Sequence, residues 1–237
     1  MSLEEQHSVL DILVVAPHPD DAELGMAGTI VRCREEGQKI GILDLTDGEP
    51  TPHGSRATRQ RETATASEVL GVQWRENLGL TNRSLEATLD NRRELAGVFR
   101  RVRPRWLFAP FWVDAHPDHT AATQLVEAAR FWAKLSKSDL PGVPHFPERI
   151  WYYCCVHLPQ AIQPAFIVDI SRQWEAKQAA LECYHSQFVA GREALEPGFI
   201  ERQREAAAYW GSLIGVRYGE PFASRQPVGL TGLGTLV

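Results

Sequence analysis

Short apolar runs rich in β-branched residues alternate along this chain with longer stretches whose apolar positions recur at helical spacing. The run Leu10 to Ala16 (LDILVVA), stopped by Pro17, predicts a buried strand, and Lys39 to Leu45 predicts a second. Between them, Asp21 to Glu36 has the pattern of a helix closed by Gly37. Further helices are predicted over Arg56 to Leu70, ended by Gly71, and over Asn91 to Arg103, ended before Pro104. Val72 to Leu78 reads as a short strand, Trp106 to Phe111 as another buried one, and Ala121 to Lys134 as the helix that follows Thr120. Beyond a break rich in Pro and Gly from Ser136 to Pro147, strands are expected at Arg149 to Val156 and Ala165 to Asp169. Helices at Arg172 to Tyr184 and Gly198 to Leu213 complete the pattern. Strands alternating with helices predict an α/β, three-layer sandwich around a mostly parallel, Rossmann-like sheet, folded as one domain over residues 1–237.

Composition agrees with that outline. A chain of 237 residues with 43% hydrophobic and 23% charged content can bury one large core. A net charge of -5 and a pI near 5.9 leave no broad basic face for nucleic acid, and the clusters Arg92-Arg93 and Arg100-Arg101-Val102-Arg103 read as a solvated helix surface. Cys33, Cys154, Cys155 and Cys183 show no CxxC spacing and read as reduced core residues, the adjacent pair pointing to opposite faces of a strand. No signal-like segment opens the chain, and no apolar run approaches the ~18 residues of a membrane span, so a cytoplasmic location is expected.

The chemistry is concentrated in two strings that share a His-Pro-Asp start, His18-Pro19-Asp20-Asp21 and His116-Pro117-Asp118-His119. Each follows a predicted strand and precedes a predicted helix. In open parallel sheets the crevice beyond the strands' carboxyl ends is where ligands bind, so two such loops can face each other. The long connection Thr46 to Ser55 (TDGEPTPHGS) exceeds most βα links and is read as functional. A dinucleotide site is excluded, although Asp44 stands where a ribose-binding acid would be. The first βα turn reads PHPDDAELG where GxGxxG is required, and Gly25 and Gly28 are assigned to close helix-to-sheet packing.

Two imidazoles and a carboxylate suit a hydrolytic zinc ion, which needs about three protein ligands and an open position. His18, Asp21 and His119 meet that need, with Fe2+ as the alternative occupant in the cell. One carboxylate leaves such a site positively charged, lowering the pKa of bound water toward ~7. Asp20, beside a ligand but projecting elsewhere, is expected to be the general base. His116 is expected to donate to a carbonyl oxygen that becomes an oxyanion, with Asp118 orienting His116 and keeping it protonated. Singly, Asp20 and Asp21 are ordinary N-cap residues and a lone loop histidine binds nothing; the pairing of the two strings carries the assignment. Two rivals use the same residues. A non-haem iron oxygenase also takes two His and one carboxylate, and a zinc-binding protein without catalysis needs no base.

These strings also carry a resemblance. APHPDDAELGMAGTI and HPDHTAA, together with GILDLTDGE, RQRETATASEVLGVQWRENLGL, FVA after YHSQ, and IGVRYGEPF, resemble the PIG-L/LmbE-like zinc N-deacetylases over nearly the whole chain. The likeness is greatest to the bacillithiol-biosynthesis branch, which removes acetyl from N-acetylglucosaminyl-malate and related N-acetylglucosamine compounds. By motif position it implies His18, Asp21 and His119 as zinc ligands and Asp20 as base. It implies His116 as oxyanion stabiliser and acid with Asp118 as partner; Asp20, once it holds the water's proton, is the alternative acid. It also implies Arg59 as a substrate-contacting arginine, and a homo-oligomer acting on a small N-acetylated sugar. The chain departs from close relatives at Phe111-Trp112-Val113-Asp114-Ala115, where an arginine is common, and at Phe199, where tyrosine is common.

Overall fold

The computed structural model describes residues 9–155, 157, 162–192, 194, 196–230 and 232. In chain order the elements are β1 (Ile12–Ala16), α1 (Asp21–Glu35), β2 (Ile40–Thr46), α2 (Arg56–Leu70), β3 (Trp74–Leu80), α3 (Leu89–Val102) and β4 (Trp106–Pro110). They continue with α4 (Pro117–Ala133), β5 (Arg149–Tyr153), β6 (Phe166–Asp169), α5 (Trp174–Glu182), α6 (His185–Phe188), α7 (Phe199–Ser212) and β7 (Gly219–Ala223). All seven strands form one sheet in the order β3-β2-β1-β4-β5-β7-β6. From β3 to β5 every pairing is parallel, and β7 runs antiparallel to both β5 and β6. No helix among the described residues is long and apolar enough to cross a membrane.

The strand sequences explain the layering. Successive side chains of β1 point to opposite faces, so Leu13 and Val15 join Phe99, Leu107 and Val126 in a core under α3 and α4. Ile12, Val14 and Ala16 join Met26, Ile30 and Phe222 in a core on the other side. Both faces are covered, and the central strands therefore read as continuous apolar runs. The expected three-layer α/β sandwich is present.

Several boundaries differ from the sequence reading. The strand expected over Arg149 to Val156 ends at Tyr153, and Val156 itself lies outside the described residues. Cys154 and Cys155 follow that strand and are free and half-buried, so they are not on a strand's two faces. Helix α4 starts four residues before Ala121, with His116 as N-cap and Pro117 in the first turn. A proline suits that position because its missing N–H has no helical partner there and its φ is already helical. Strand β7 has no counterpart in the sequence reading: GEPFA holds a proline and a buried glutamate, which disguise its strand pattern. Pro221 is tolerated because β5 pairs only with Phe222 and Ala223.

Glu220 of β7 has a structural task. Helix α1 breaks at Met26, whose φ of -156° and ψ of 24° are not helical. The backbone N–H groups of Gly28 and Thr29, freed by the break, donate to the Glu220 carboxylate at 3.1 and 2.7 Å. Lys177 of α5 neutralises that carboxylate at 2.6 Å and donates to the freed Leu24 carbonyl at 2.8 Å. Gly25 and Gly28 let the broken helix lie against its neighbours, as expected: a Cβ would collide with the Tyr153 ring at the first and come within 2.7 Å of Ile170 at the second. The first turn of α1 is thereby fixed just beyond the C-terminal end of β1.

Candidate metal centre

Strands β1 and β4 are neighbours, and the sheet order reverses between them, leaving a crevice beyond their C-terminal ends. The first His-Pro-Asp string follows β1 and the second follows β4, so both open into that crevice. After Ala16 the chain turns through His18, and Asp21 becomes the first residue of α1. The Asp21 carboxylate folds back to accept the His18 backbone N–H at 3.0 Å and lies 3.1 Å from His18 Nδ1. From the first turn of α4, His119 Nε2 approaches the same Asp21 oxygen at 3.3 Å. Donor atoms of His18, Asp21 and His119 all lie within 4.8 Å of one another. The side chains are deeply buried, at 11, 3 and 0% exposure.

These residues fit a divalent cation. His119 Nε2 is fully buried and, although 3.3 Å from Asp21 Oδ2, makes no hydrogen bond, an arrangement that a cation shared by the two groups would satisfy. Its other nitrogen lies 2.9 Å from Asp114 Oδ2, which fixes the ring with Nε2 turned toward Asp21. Separations of 3.1 and 3.3 Å between donors match those of adjacent ligands about 2.0–2.1 Å from a tetrahedral ion. Charge agrees with geometry. Burial opposes charge on His18, but Asp118 and Asp21 outweigh it and raise its pKa to about 9. His119 is likewise raised, against burial, chiefly by Asp21. The carboxylates thus hold positive charge on both rings, and a bound cation would replace those protons.

Asp20 is no ordinary helix cap. It occupies the N-cap position of α1 at φ 121°, and its side chain makes no capping hydrogen bond. Its Oδ2 instead accepts from Arg59 Nη1 at 2.9 Å, and the same nitrogen donates to the Pro19 carbonyl. Burial pushes the Asp20 carboxyl up to about 7, with Arg59 pulling the other way. Arg59 is only 3% exposed, which excludes a helix-surface role. Its Nε faces Glu49 at 3.4 Å, so this arginine is set between two acids and positions Asp20.

The expected pairing of Asp118 with His116 takes a different form. The Asp118 carboxylate turns to His18 Nε2 at 3.1 Å and accepts the backbone N–H groups of Arg83 and Leu85 at 2.8 and 3.2 Å. His116 meets Asp118 only through the backbone, its Nδ1 accepting the Asp118 N–H at 3.2 Å. That bond leaves the ring proton on Nε2. Burial and the neighbouring imidazoles lower the His116 pKa to about 4, so the ring is neutral near pH 7 rather than held protonated. Burial alone would raise Asp118, but its contact with His18 and the two backbone donors outweigh it and bring the carboxyl down to about 2.

Sequence reasoning missed four participants. Asp114 links His119 to the His116 backbone, accepting the latter's N–H at 3.0 Å. Arg83 and Leu85 anchor Asp118 through main-chain groups, which no side-chain pattern reveals. Cys155, assigned to the core, has its sulfur grouped with His119 and Asp114. Asp44, by contrast, is buried against Arg75 at 2.8 and 3.0 Å and is not free for a ribose. A cavity of about 210 Å³ opens over the centre, lined by His18, Asp20, Asp21, Arg59 and His116 and rimmed by Arg83 and Arg192.

The sequence profile of the PIG-L family, GlcNAc-PI de-N-acetylase, matches residues 13–130, which contain both strings. A diacetylchitobiose deacetylase from Thermococcus kodakarensis is 31% identical over 232 residues, 92% of this chain and 84% of the relative. The chain belongs to the PIG-L family. A 4-oxalmesaconate hydratase from Pseudomonas putida is 27% identical over 198 residues, 77% of this chain and 74% of that protein. Among solved structures, the conserved protein TT1542 from Thermus thermophilus superposes with a TM-score of 0.86 at 43% identity, covering 94% of this chain and 98% of that one. The family and the donor set together support a metal-dependent hydrolase of acetylated small molecules.

Proposed function

We propose that this protein removes the acetyl group from an N-acetylglucosamine-type amide by hydrolysis, with zinc, or Fe2+ in the cell, held by His18, Asp21 and His119. The observation that carries the reading is the buried, unbonded Nε2 of His119 facing Asp21, with an Asp20 carboxylate beside it that caps nothing. A cation in that place would supply Lewis acidity to the amide carbonyl and to water. Asp20, pushed up to about 7 by burial and fixed in orientation by Arg59, takes the proton of the attacking water. His116, neutral and protonated on Nε2, donates that N–H to the oxygen that gains charge as the carbonyl becomes tetrahedral. Asp20, once protonated, returns its proton to the departing amine.

The spare Asp20 and the donor His116 favour proton transfer over oxygen activation, and so hydrolysis over the iron oxygenase alternative. The hydratase relative supplies a second reading, addition of water without amide cleavage, for which the same base and cation serve. One experiment separates them. The metal-loaded protein is assayed for free amine on N-acetylglucosamine, N,N'-diacetylchitobiose and N-acetylglucosaminyl-malate, and for hydration of 4-oxalmesaconate in parallel. Amine release is expected; hydration alone would replace deacetylation with the second reading. Release from the malate conjugate above the other two would support the bacillithiol branch.

A further inference from the structure

Three non-glycine residues among those described adopt a positive φ, and two of them, Asp20 and Arg83, line the same cavity. Asp20 belongs to the chemistry proposed above. Arg83 calls for its own explanation, because left-handed backbone is strained for a branched or long side chain and is usually given to Gly or Asn. Near the end of β3 the chain uses glycine for a positive φ, 75° at Gly79, yet four residues later it keeps arginine at φ 65° at position 83. The backbone N–H of Arg83 donates to Asp118, a bond that glycine would make equally well. Only the side chain distinguishes arginine here, and strained positions retained at a site point to function.

That side chain lies at the cavity's rim, where Nη2 donates to the Pro50 carbonyl at 2.5 Å. Arg192, from the segment between α6 and α7, reaches the rim from another wall, its guanidinium carbon 5.8 Å from the centre of the Phe199 ring. Both arginines are exposed, and neither is ion-paired to a carboxylate among the described residues. The acids deeper in the cavity are already committed: Asp20 to Arg59, and Asp21 to His18 and His119. The cavity therefore has a proton-transfer floor and a rim carrying two guanidinium groups that no carboxylate among the described residues pairs. Guanidinium matches carboxylate and phosphate oxygens, which accept two parallel N–H bonds.

The geometry points to Arg83 and Arg192 as the residues that select a substrate carrying a carboxylate or phosphate on the part remote from the scissile amide. This inference rests on the deacetylase reading for the position of the amide, but its binding step can be measured without turnover. The test is calorimetric titration of the metal-loaded protein with three amines that correspond to deacetylated products: glucosamine, glucosamine 6-phosphate and carboxymethyl glucosaminide. At low salt the charged amines are expected to bind about tenfold tighter than glucosamine, the sum of two exposed charge-assisted contacts. The advantage should shrink as KCl rises toward about 0.5 M. Arg83→Gly and Arg192→Gln should each remove most of it, and Arg83→Lys should restore part. The melting temperature of Arg83→Gly should not fall, because glycine adopts this φ freely; a role confined to tying Pro50 would lower it and leave the charge preference intact. The tighter of the two charged amines identifies the anion, and either choice supports the inference. Equal or weaker binding of the charged amines, or an advantage untouched in both variants, overturns it. Failure of the deacetylase reading has a separate signature, no amine released from any acetylated counterpart whatever the binding order.

Discussion

His18 Nε2 and Asp118 Oδ2 stand 3.1 Å apart although 100 positions separate them in the chain. This contact joins the two His-Pro-Asp strings, and Asp118 is held for it by backbone donors from Arg83 and Leu85. A carboxylate on a ligand's ring fixes that ring and raises its basicity. Asp118→Asn is therefore expected to weaken metal binding about 10–100-fold. Competition with a chromogenic chelator measures it, and turnover at saturating metal should fall by less than affinity does.

Asp20 makes no capping bond, is held through Oδ2 by Arg59 and lines the cavity, where the proposed reaction uses its carboxylate as the base. Asp20→Asn should keep metal content and fold while lowering kcat by about 10²–10⁴. Metal analysis and amine release on the same preparation test both halves. Loss of metal in this variant would make Asp20 a ligand.

In the proposed reaction His116 is a neutral donor with its proton on Nε2. His116→Ala is expected to cost about 10²–10³ in kcat. Because the ring's pKa is about 4, its titration lies outside the working range. The residual activity of the variant should keep the wild-type pH profile near neutrality, and a vanished limb there would assign that limb to His116.

Removing the metal exposes a pH signature. His18 has its pKa raised to about 9 from the ordinary 6.5, so its charge stabilises the metal-free fold. The contribution is complete below the unfolded value of about 6.5 and is lost as pH rises through about 9. Melting curves of the metal-free protein and of His18→Gln should therefore differ most near pH 6 and converge above about pH 9. With zinc the trend reverses, since ligation requires neutral imidazole, and the gain in melting temperature on adding metal should grow from about pH 6 to 8.

Arg75 supports the floor of the site from beneath. It is buried, bonded to both oxygens of Asp44 at 2.8 and 3.0 Å, and donates to Glu23, in the first turn of α1, at 2.7 Å. Arg75→Met would leave two buried carboxylates without their cation, an expected loss of about 3–5 kcal/mol. Urea denaturation monitored by tryptophan fluorescence measures it.

Much of this was legible in the sequence because the chemistry is carried by compact strings. His18, Asp20, Asp21, His116 and His119 announce themselves by residue type, and flanking apolar runs place them at strand ends. Partnerships across the crevice were not legible. Whether the Asp118 carboxylate faces His116 or His18 depends on how the loop after β1 meets the first turn of α4, a tertiary fact that no local spacing encodes. Asp114 lies in FWVDA, which has no pattern, and its role exists only because His119 turns toward it. The one missed signal was Pro117 itself, whose place after a capping histidine marks a helix start. Strand β7 stayed hidden because Glu220 is buried for the sake of the break in α1 and Lys177, and the resulting polar residue masks the run.

The central claim is that His18, Asp21 and His119 hold one divalent cation beside Asp20. Metal content measured by plasma mass spectrometry after zinc loading and gel filtration tests it most directly. Wild type and Asp20→Asn are expected to retain one equivalent per chain, and His18→Ala, Asp21→Ala and His119→Ala to retain close to none. Full occupancy in those three variants, or an empty wild type, would contradict the account.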